Sequence, residues 1–450
     1  MKKYHFIALG GIGMSGLAKY LLEEGHIVTG SDIEDSKYLN ELKNLGAKVY
    51  IGHKEENLDN DVDVVVISTA IKNNNPELQK AHKLGLKIYH RSDLLKEIAE
   101  TAQNKQKCFI GFAGTHGKTT TSGMSSYVLD NAGLKPSFVV GGIVPKIYTN
   151  AQFKEGQHFI AELDESDGTL VKYHPDILVI NNLEEDHLDF YKNGMKDIIE
   201  IFNQAISKTT KTIVNIDDQG VRNLKGNFIT FGLKEADYTA QNIKNTSEGM
   251  SFEVFHHGIK LTDVSLILTG RHNIYNTLAV ITALNESGVN INNIKSSFST
   301  FTGMGRRFQH ICDINNIKIY DDYAHHPTEI KAVLDSASTK FGKENIIAVF
   351  QPHRYTRLKG LWDEFKNSFF NAQRVIVTDV FEASEEPIEN ITGENFAIAG
   401  NFEHISGSIQ DVAQKLLPSL KEGSIVIGLG AGTITNLGKY IKEYSIANRM

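Results

Sequence analysis

Residues 109–121 read F-I-G-F-A-G-T-H-G-K-T-T-T. An apolar run at Cys108, Phe109 and Ile110 breaks into glycines and then meets Lys118 and a run of threonines that opens a helical pattern through Met124, Tyr127 and Val128. Strand, glycine loop and helix in that order make a phosphate cradle. Backbone N–H groups curl round the anion, the helix start adds partial positive charge, Lys118 adds a full one, and the Thr119 hydroxyl suits Mg2+. The loop departs from the usual spacing because Phe112 stands where the first glycine belongs. Gly114, Thr115, His116, Gly117 and Thr120 complete a shorter loop for a nucleoside triphosphate.

Upstream, Tyr4–Leu9 reads as a buried strand and runs into Gly10-Gly11-Ile12-Gly13-Met14-Ser15-Gly16, after which Leu17, Leu21 and Leu22 mark a helix. A second strand, Ile27–Gly30, ends at Ser31-Asp32. This is the glycine turn of a Rossmann-like unit with an acid closing the second strand, which predicts a pyrophosphate site. The pattern alone leaves NAD, FAD and a nucleotide sugar open. Further strands are expected at 47–51, 64–67 and 86–89. Ser68 and Thr69 lie past the end of one of them, where open α/β sheets place ligands. A charged amphipathic stretch, 92–107, leads to the phosphate loop.

Downstream, strand Phe159–Ala161 delivers Glu162, Asp164, Glu165 and Asp167, four carboxylates in six residues, which predicts metal work or a solvated acidic loop. Strand Ile177–Ile180 delivers Asn181-Asn182-Leu183-Glu184-Glu185-Asp186-His187, with His187 a metal ligand or an orienting base. Strands are also expected at 138–140, 212–216, 228–231, 251–255 and 259–267. Gly270-Arg271-His272-Asn273 opens a helix as a cap or a nucleotide grip, and Gly303-Met304-Gly305-Arg306-Arg307-Phe308 sets adjacent arginines among glycines. In the last third, four strands each end in polar or glycine residues. They lead to Asp321-Asp322-Tyr323-Ala324-His325-His326, to Gln351-Pro352-His353-Arg354-Tyr355-Thr356-Arg357, to Asp379, and to Gly428–Gly432. This predicts another doubly wound sheet.

At 450 residues the chain is too long for one core. With 41% hydrophobic and 22% charged residues it reads as an ordinary α/β protein. A net charge of -7 argues against a general nucleic-acid binder. No run of about 18 apolar residues predicts a membrane helix. The two cysteines, Cys108 and Cys312, lie in apolar runs, which suits buried thiols in a reducing compartment. The start of the chain shows no signal-peptide pattern, so the cytoplasm is the expected location. An NAD-dependent oxidoreductase would use the first glycine turn yet leave Lys118, the acids and His187 idle. A silent nucleotide-sugar sensor would have no need of the metal-binding types.

Taken in order, G-G-I-G-M-S-G, G-T-H-G-K-T-T-T, E-L-D-E-S-D, E-E-D-H-L-D, G-R-H-N, G-R-R-F, D-D-Y-A-H-H-P-T-E and Q-P-H-R-Y-T-R resemble the Mur ligase family over nearly the whole chain. The resemblance implies three α/β domains: a Rossmann-like UDP-sugar domain at 1–104, a central P-loop-type ATPase domain at 105–312, and a C-terminal Rossmann-like domain at 313–450 on the amino-acid side. It also implies ATP-dependent joining of L-alanine to the lactyl carboxylate of UDP-N-acetylmuramate through an acyl phosphate, in cell wall precursor synthesis, by a monomer or homodimer. Gly11, Gly13, Met14, Ser15, Asp32, Ser68 and Thr69 would serve the UDP-sugar. Lys118 would meet the β- and γ-phosphates, Thr119 and Glu162 one Mg2+, and His187 a second.

Further roles carried by the resemblance are Asn273 and His272 near adenine, Arg306 and Asp322 on ATP, and Tyr323, His325, Arg354 and Arg357 on the alanine and acyl-phosphate side. Sister ligases carry a carbamylated lysine 15 positions after the histidine. Phe202 stands there, as in the alanine-adding branch. Asn181-Asn182-Leu183 instead resembles the branch that recycles an intact tripeptide, which is the alternative activity.

Overall fold

The computed structural model describes residues 1–188, 190–246, 249–383 and 385–447. Asp189, the last acid of the E-E-D-H-L-D stretch, lies outside them. The chain divides into two compact units. The first holds residues 1–244, 251–266 and 275–301, and the second holds 245–250, 267–274 and 302–450.

The first unit begins with five parallel strands, β1 (Lys3–Ile7), β2 (Ile27–Asp32), β3 (Lys48–Ile51), β4 (Val64–Ile67) and β5 (Lys87–His90). Their order is β3-β2-β1-β4-β5, so the winding reverses between β1 and β4. A reversal of that kind leaves a crevice at the carboxyl ends of the two central strands. The turn after β1 and the Ser68-Thr69 step after β4 both fall there. Helices α1 (Ile12–Glu23), α2 (Lys37–Asn44), α3 (Pro76–Lys83) and α4 (Arg91–Asn104) cover the sheet. The stretch expected as a linker at 92–107 is mostly α4, started by a capping box between His90 and Asp93.

A ten-stranded sheet follows, built on β6 (Cys108–Ala113), β7 (Ser137–Val144), β8 (Thr149–Gln152), β9 (His158–Glu162), β10 (Ile177–Ile180), β11 (Lys211–Asn215) and β12 (Phe228–Gly232). It is extended by β13 (Tyr238–Thr246), β14 (Gly249–His256) and β15 (Ile259–Leu266), in the order β15-β14-β13-β12-β11-β10-β6-β9-β7-β8. Strand β6 lies between β10 and β9, all parallel, with Ala113 opposite Ile180 and Phe112 opposite Glu162. That register sends the chain out of three neighbouring strands at one edge. The glycine loop, the acid stretch and the Asn181–His187 stretch therefore share it. Helix α5 (Lys118–Asn131) leaves from the loop, and α6 (Met195–Ile206) covers the sheet with Ile198, Phe202 and Ala205 at helical spacing. Phe202 is fully buried in the core that includes Leu178, Ile180 and Val214.

In the second unit β16 (Gln309–Ile314), β17 (Ile317–Asp322), β18 (Ile346–Phe350), β19 (Arg374–Val377), β20 (Glu403–His404) and β21 (Ile425–Leu429) form a sheet ordered β16-β17-β21-β18-β19-β20. The sheet is mixed, because β16 pairs antiparallel with β17 while the remaining pairs are parallel. Four strands were expected. The two extra ones are the partly exposed β16 and the two-residue β20, neither of which has a buried apolar run. Strand β16 also runs across the expected 312/313 division.

Replacing Phe202 by alanine removes a ring from a closed core, a change that costs about 3–5 kcal/mol. The expected outcome for Phe202→Ala is an earlier denaturant-unfolding transition, and an unshifted midpoint would contradict this packing.

Candidate active site

The glycine loop bends through left-handed backbone at Gly114 (φ 117°) and Gly117 (φ 82°). A Cβ at Gly114 would lie 2.8 Å from the Asn182 carbonyl oxygen, and one at Gly117 would lie 2.8 Å from Asn276 Oδ1. Both positions thus need glycine for conformation and for space. Phe112, in place of the usual first glycine, is fully buried in the sheet.

The segment leaving β10 is tied to this loop by hydrogen bonds. Thr115 N donates to Asn182 O (3.1 Å), His116 N to Asn182 Oδ1 (2.7 Å), and Glu184 N to Thr115 Oγ1 (2.9 Å). Glu184 Oε2 lies 3.4 Å from His116 Nε2, and Asn181 Nδ2 donates to Thr121 Oγ1 (3.2 Å). His187 ends the segment in left-handed backbone (φ 54°), its Nε2 3.6 Å from Asp186 Oδ2. Asn182 therefore has a structural task in bracing the loop, while Asn181, which stands where the alanine-adding pattern has threonine, ties the segment to the first turn of α5 through Thr121.

The four carboxylates divide their work. Glu162 accepts from Thr119 Oγ1 at 3.1 Å and from Gly141 N at 2.8 Å. Asp164 pairs with Arg91 at 2.7 Å. Burial alone would raise its pKa, yet Lys118 and Arg91 hold the carboxyl well below the usual range. Glu165 meets Lys118 Nζ at 2.8 Å, and Asp167 accepts from Thr169. Lys118 also donates to its own loop, at Gly114 O (2.6 Å) and Thr115 O (3.1 Å), so its three protons are all engaged. Burial opposes its charge, but Glu165, Asp164 and Glu162 outweigh burial and keep it an ammonium. Thr119 and Glu162 offer hard oxygens 3.1 Å apart, a donor pair suited to Mg2+. Thr120 is buried in α5.

At the first glycine turn, Gly11 caps α1. Met14 is buried in the core and can offer a ligand only its backbone N–H, while Ser15 donates its N–H to Gly11 O (2.8 Å) and its hydroxyl to Ile12 O (3.1 Å), which leaves the hydroxyl oxygen as an acceptor. Asp32 accepts from Gly10 N and from Ile33 N, each at 2.7 Å. Ser68 is partly buried and Thr69 exposed at the end of β4. Arg91 Nη1 would lie 3.6 Å from a Cβ at Gly13, which brings a cation against this turn. Sequence reasoning singled out neither Arg91 nor Asn276, since nothing local marks them.

The second unit gathers a separate polar cluster. Arg306 donates to Asp321 Oδ2 (3.1 Å) and Gly430 O (2.8 Å) and lies 4.9 Å from the Tyr323 ring centroid. Asp322 is buried and accepts from Phe308 N (2.6 Å) and Ala324 N (2.7 Å). Burial pushes its carboxyl up to about 7, against the pull of Arg307 and those two N–H groups. His325 contacts Tyr323 edge-on, and Arg357 Nη1 lies 3.4 Å from His353 Nδ1. Burial and the neighbouring Arg357 and Arg354 lower His353 to about 4, so that ring is neutral. Arg354 has φ 71°, with its N–H donating to Phe381 O at 2.9 Å. His272 is likewise neutral, brought to about 4 by burial and Arg307, and Asn273 Nδ2 donates to Thr269 O at 2.8 Å.

Three family models match the chain in succession: the "Mur ligase family, catalytic domain" at residues 3–103, the "Mur ligase middle domain" at 112–284, and the "Mur ligase, glutamate ligase domain" at 306–432. The UDP-N-acetylmuramate–L-alanine ligase of Pelobacter propionicus is 40% identical over 98% of this chain and 97% of its own. Among solved structures, the UDP-N-acetylmuramate-alanine ligase of Thermotoga maritima aligns with a TM-score of 0.84 and 28% identity, over 99% of this chain and 100% of that one. A murein peptide ligase from Psychrobacter arcticus aligns with a TM-score of 0.74 and 24% identity, over 99% of both. At that identity the likeness is one of fold.

Asp322 fixes the sign of one pH effect. With its folded pKa raised from 3.8 to about 7, its contribution to stability is full below about pH 4 and is lost as pH rises through 7. The melting temperature of Asp322→Asn relative to the parent should therefore climb between pH 4 and 8. A difference that stays level with pH would refute the buried, proton-holding carboxyl.

Proposed function

The chain belongs to the Mur ligase family, and from that premise we infer its reaction: it is an ATP-dependent amide-forming ligase that joins L-alanine to the lactyl carboxylate of UDP-N-acetylmuramate, a step of peptidoglycan synthesis. The observation that carries the reading is the joint at the edge of the central sheet, where Lys118, Thr119, Glu162 and the Asn181–His187 segment are tied to one glycine loop. Full-length similarity to alanine-adding ligases supports the choice of amine.

A carboxylate is a poor electrophile. The lactyl carboxylate oxygen therefore attacks the γ-phosphorus of ATP, the bond to the bridging oxygen breaks, and ADP leaves. The amine of L-alanine attacks the resulting acyl phosphate, phosphate leaves, and the amide forms with loss of one proton. Both steps crowd negative charge, and catalysis rests on positioning and neutralising it. Lys118 leaves its loop carbonyls to hold the β- and γ-phosphates, while the backbone N–H groups of 114–117 line them. Thr119 and Glu162 would hold one Mg2+ and His187 a second, and such ions would neutralise the phosphate oxygens when bound. Asn273 and His272 serve adenine, Arg306 and Asp322 serve ATP, and Tyr323, His325, Arg354 and Arg357 serve the alanine side.

Gly11, Gly13, Asp32, Ser68 and Thr69, with the backbone of Met14 and the hydroxyl of Ser15, serve the UDP-sugar. The working division into lobes is 1–104, 105–312 and 313–450, with the last limit moved ahead of Gln309 to spare β16. No helix among the described residues is long and apolar enough to cross a membrane, and we place the reaction in the cytoplasm.

Phosphate release from ATP in the presence of UDP-N-acetylmuramate is the test, run with L-alanine, other amino acids and the tripeptide. Turnover is expected to require an amine and to favour L-alanine. Turnover without amine would make the chain a simple ATPase, and turnover with tripeptide alone would make it a recycling ligase. Lys118→Ala and Glu162→Gln should each lower kcat by roughly 10²–10³-fold, and retention of most of the rate in Lys118→Ala would remove the central assignment.

A further inference from the structure

Lys118 is the side chain that the phosphates require, and an acid with no other task in the reaction holds it. Glu165 is buried, its Oε1 takes the Lys118 ammonium at 2.8 Å, and no described residue donates to its Oε2. A carboxylate enclosed in this way persists as an anion only through its ion pair. The pair in turn uses a proton of Lys118 that a phosphate oxygen could take.

The groups facing Glu165 come from four segments. Helix α5 contributes Lys118, on which Glu162 at the end of β9 also acts. On Glu165's own segment Asp164 adds a like charge, and Arg91 of α4 is committed to Asp164 at 2.7 Å. From the loop after β10 the Tyr191 hydroxyl donates to the backbone carbonyl of Glu165, and this phenol keeps its proton, since burial, Glu165, Asp164 and Asp167 all raise its pKa. Burial raises the Glu165 carboxyl, Lys118 pulls it down and Asp164 pushes it up, and the balance stands at about 7.

A nucleotide upsets that balance. The β- and γ-phosphates recruit Lys118, and Glu165 then keeps burial and Asp164 without its counter-ion. An unpaired buried carboxylate is the less stable form, so the carboxyl takes a proton from solvent and becomes neutral. We propose that Glu165 is a positioning residue that stands in for phosphate on Lys118, and that nucleotide binding breaks this ion pair with uptake of a proton by the Glu165 carboxyl. The inference deepens the ligase reading above and rests on it.

The test titrates the full chain and Glu165→Gln with the magnesium complex of a non-hydrolysable ATP analogue, AMP-PNP. Calorimetry in buffers of different ionisation enthalpy counts the protons. Near pH 8 the parent should take up about one proton more than the variant, and near pH 6 the two counts should agree. In step with this, the parent should bind the analogue about tenfold more weakly than the variant at about pH 8, and within about twofold of it at about pH 6. Infrared difference spectra of the parent alone should show the analogue replacing a carboxylate band with a protonated-carboxyl band that moves in D2O. That arm needs no variant to fold.

Equal proton counts in parent and variant at both pH values overturn this inference alone. So does an affinity difference of the same factor at both, which a merely structural role would produce, and so does the lack of a new protonated-carboxyl band in a parent that binds the analogue. A parent chain that binds no nucleotide and releases no phosphate with UDP-N-acetylmuramate and L-alanine overturns the ligase reading, and this inference with it.

Discussion

The hydrogen bonds between Asn182 and the backbone of Thr115 and His116 are the constraint on which the central lobe depends. A glycine loop has no side chains with which to hold its own shape, and left-handed residues such as Gly114 and Gly117 lose more backbone entropy than most on ordering. The loop is ordered from outside, by the segment leaving the neighbouring strand. Because that segment also carries Glu184, Asp186 and His187, the element that shapes the anion cradle is the one that delivers the acids and the histidine. Shape and chemistry are coupled through a parallel register, Ala113 opposite Ile180, and the coupling needs no long-range device.

Lys118 illustrates how charge is handled in such a place. An ammonium with three engaged protons, two on its own loop carbonyls and one on Glu165, is stable without a nucleotide, yet two of its three contacts are neutral carbonyls in the place of phosphate oxygens. Asp164 is turned away from it into a pair with Arg91, which is next to the first glycine turn in space. The acid stretch therefore meets the central glycine loop through Lys118 and reaches toward the first glycine turn through Arg91.

Much of this was legible in the residues because it is local. Glycine turns between an apolar run and a helical pattern declare themselves over a dozen positions, and the buried parallel strands β6, β10 and β18 are near-continuous apolar runs. What escaped notice was set by distant partners. Strand β13 reads Y-T-A-Q-N-I-K-N-T, half polar, and holds its place by sheet pairing rather than by composition. The four acids of the E-L-D-E-S-D stretch are alike by residue type and only the resemblance picked out Glu162; the structure pairs Asp164 with Arg91, Glu165 with Lys118 and Asp167 with Thr169, and sets Glu162 beside Thr119. Met14 stands in the turn motif, while its side chain belongs to the core because the first turn of α1 points it inward.

Arg354 sits at φ 71°, a region that a side-chain-bearing residue enters at a cost and that glycine or asparagine enters freely. Glycine at this position would release that strain, so the turn after β18 is shaped by its surroundings against the preference of its own backbone.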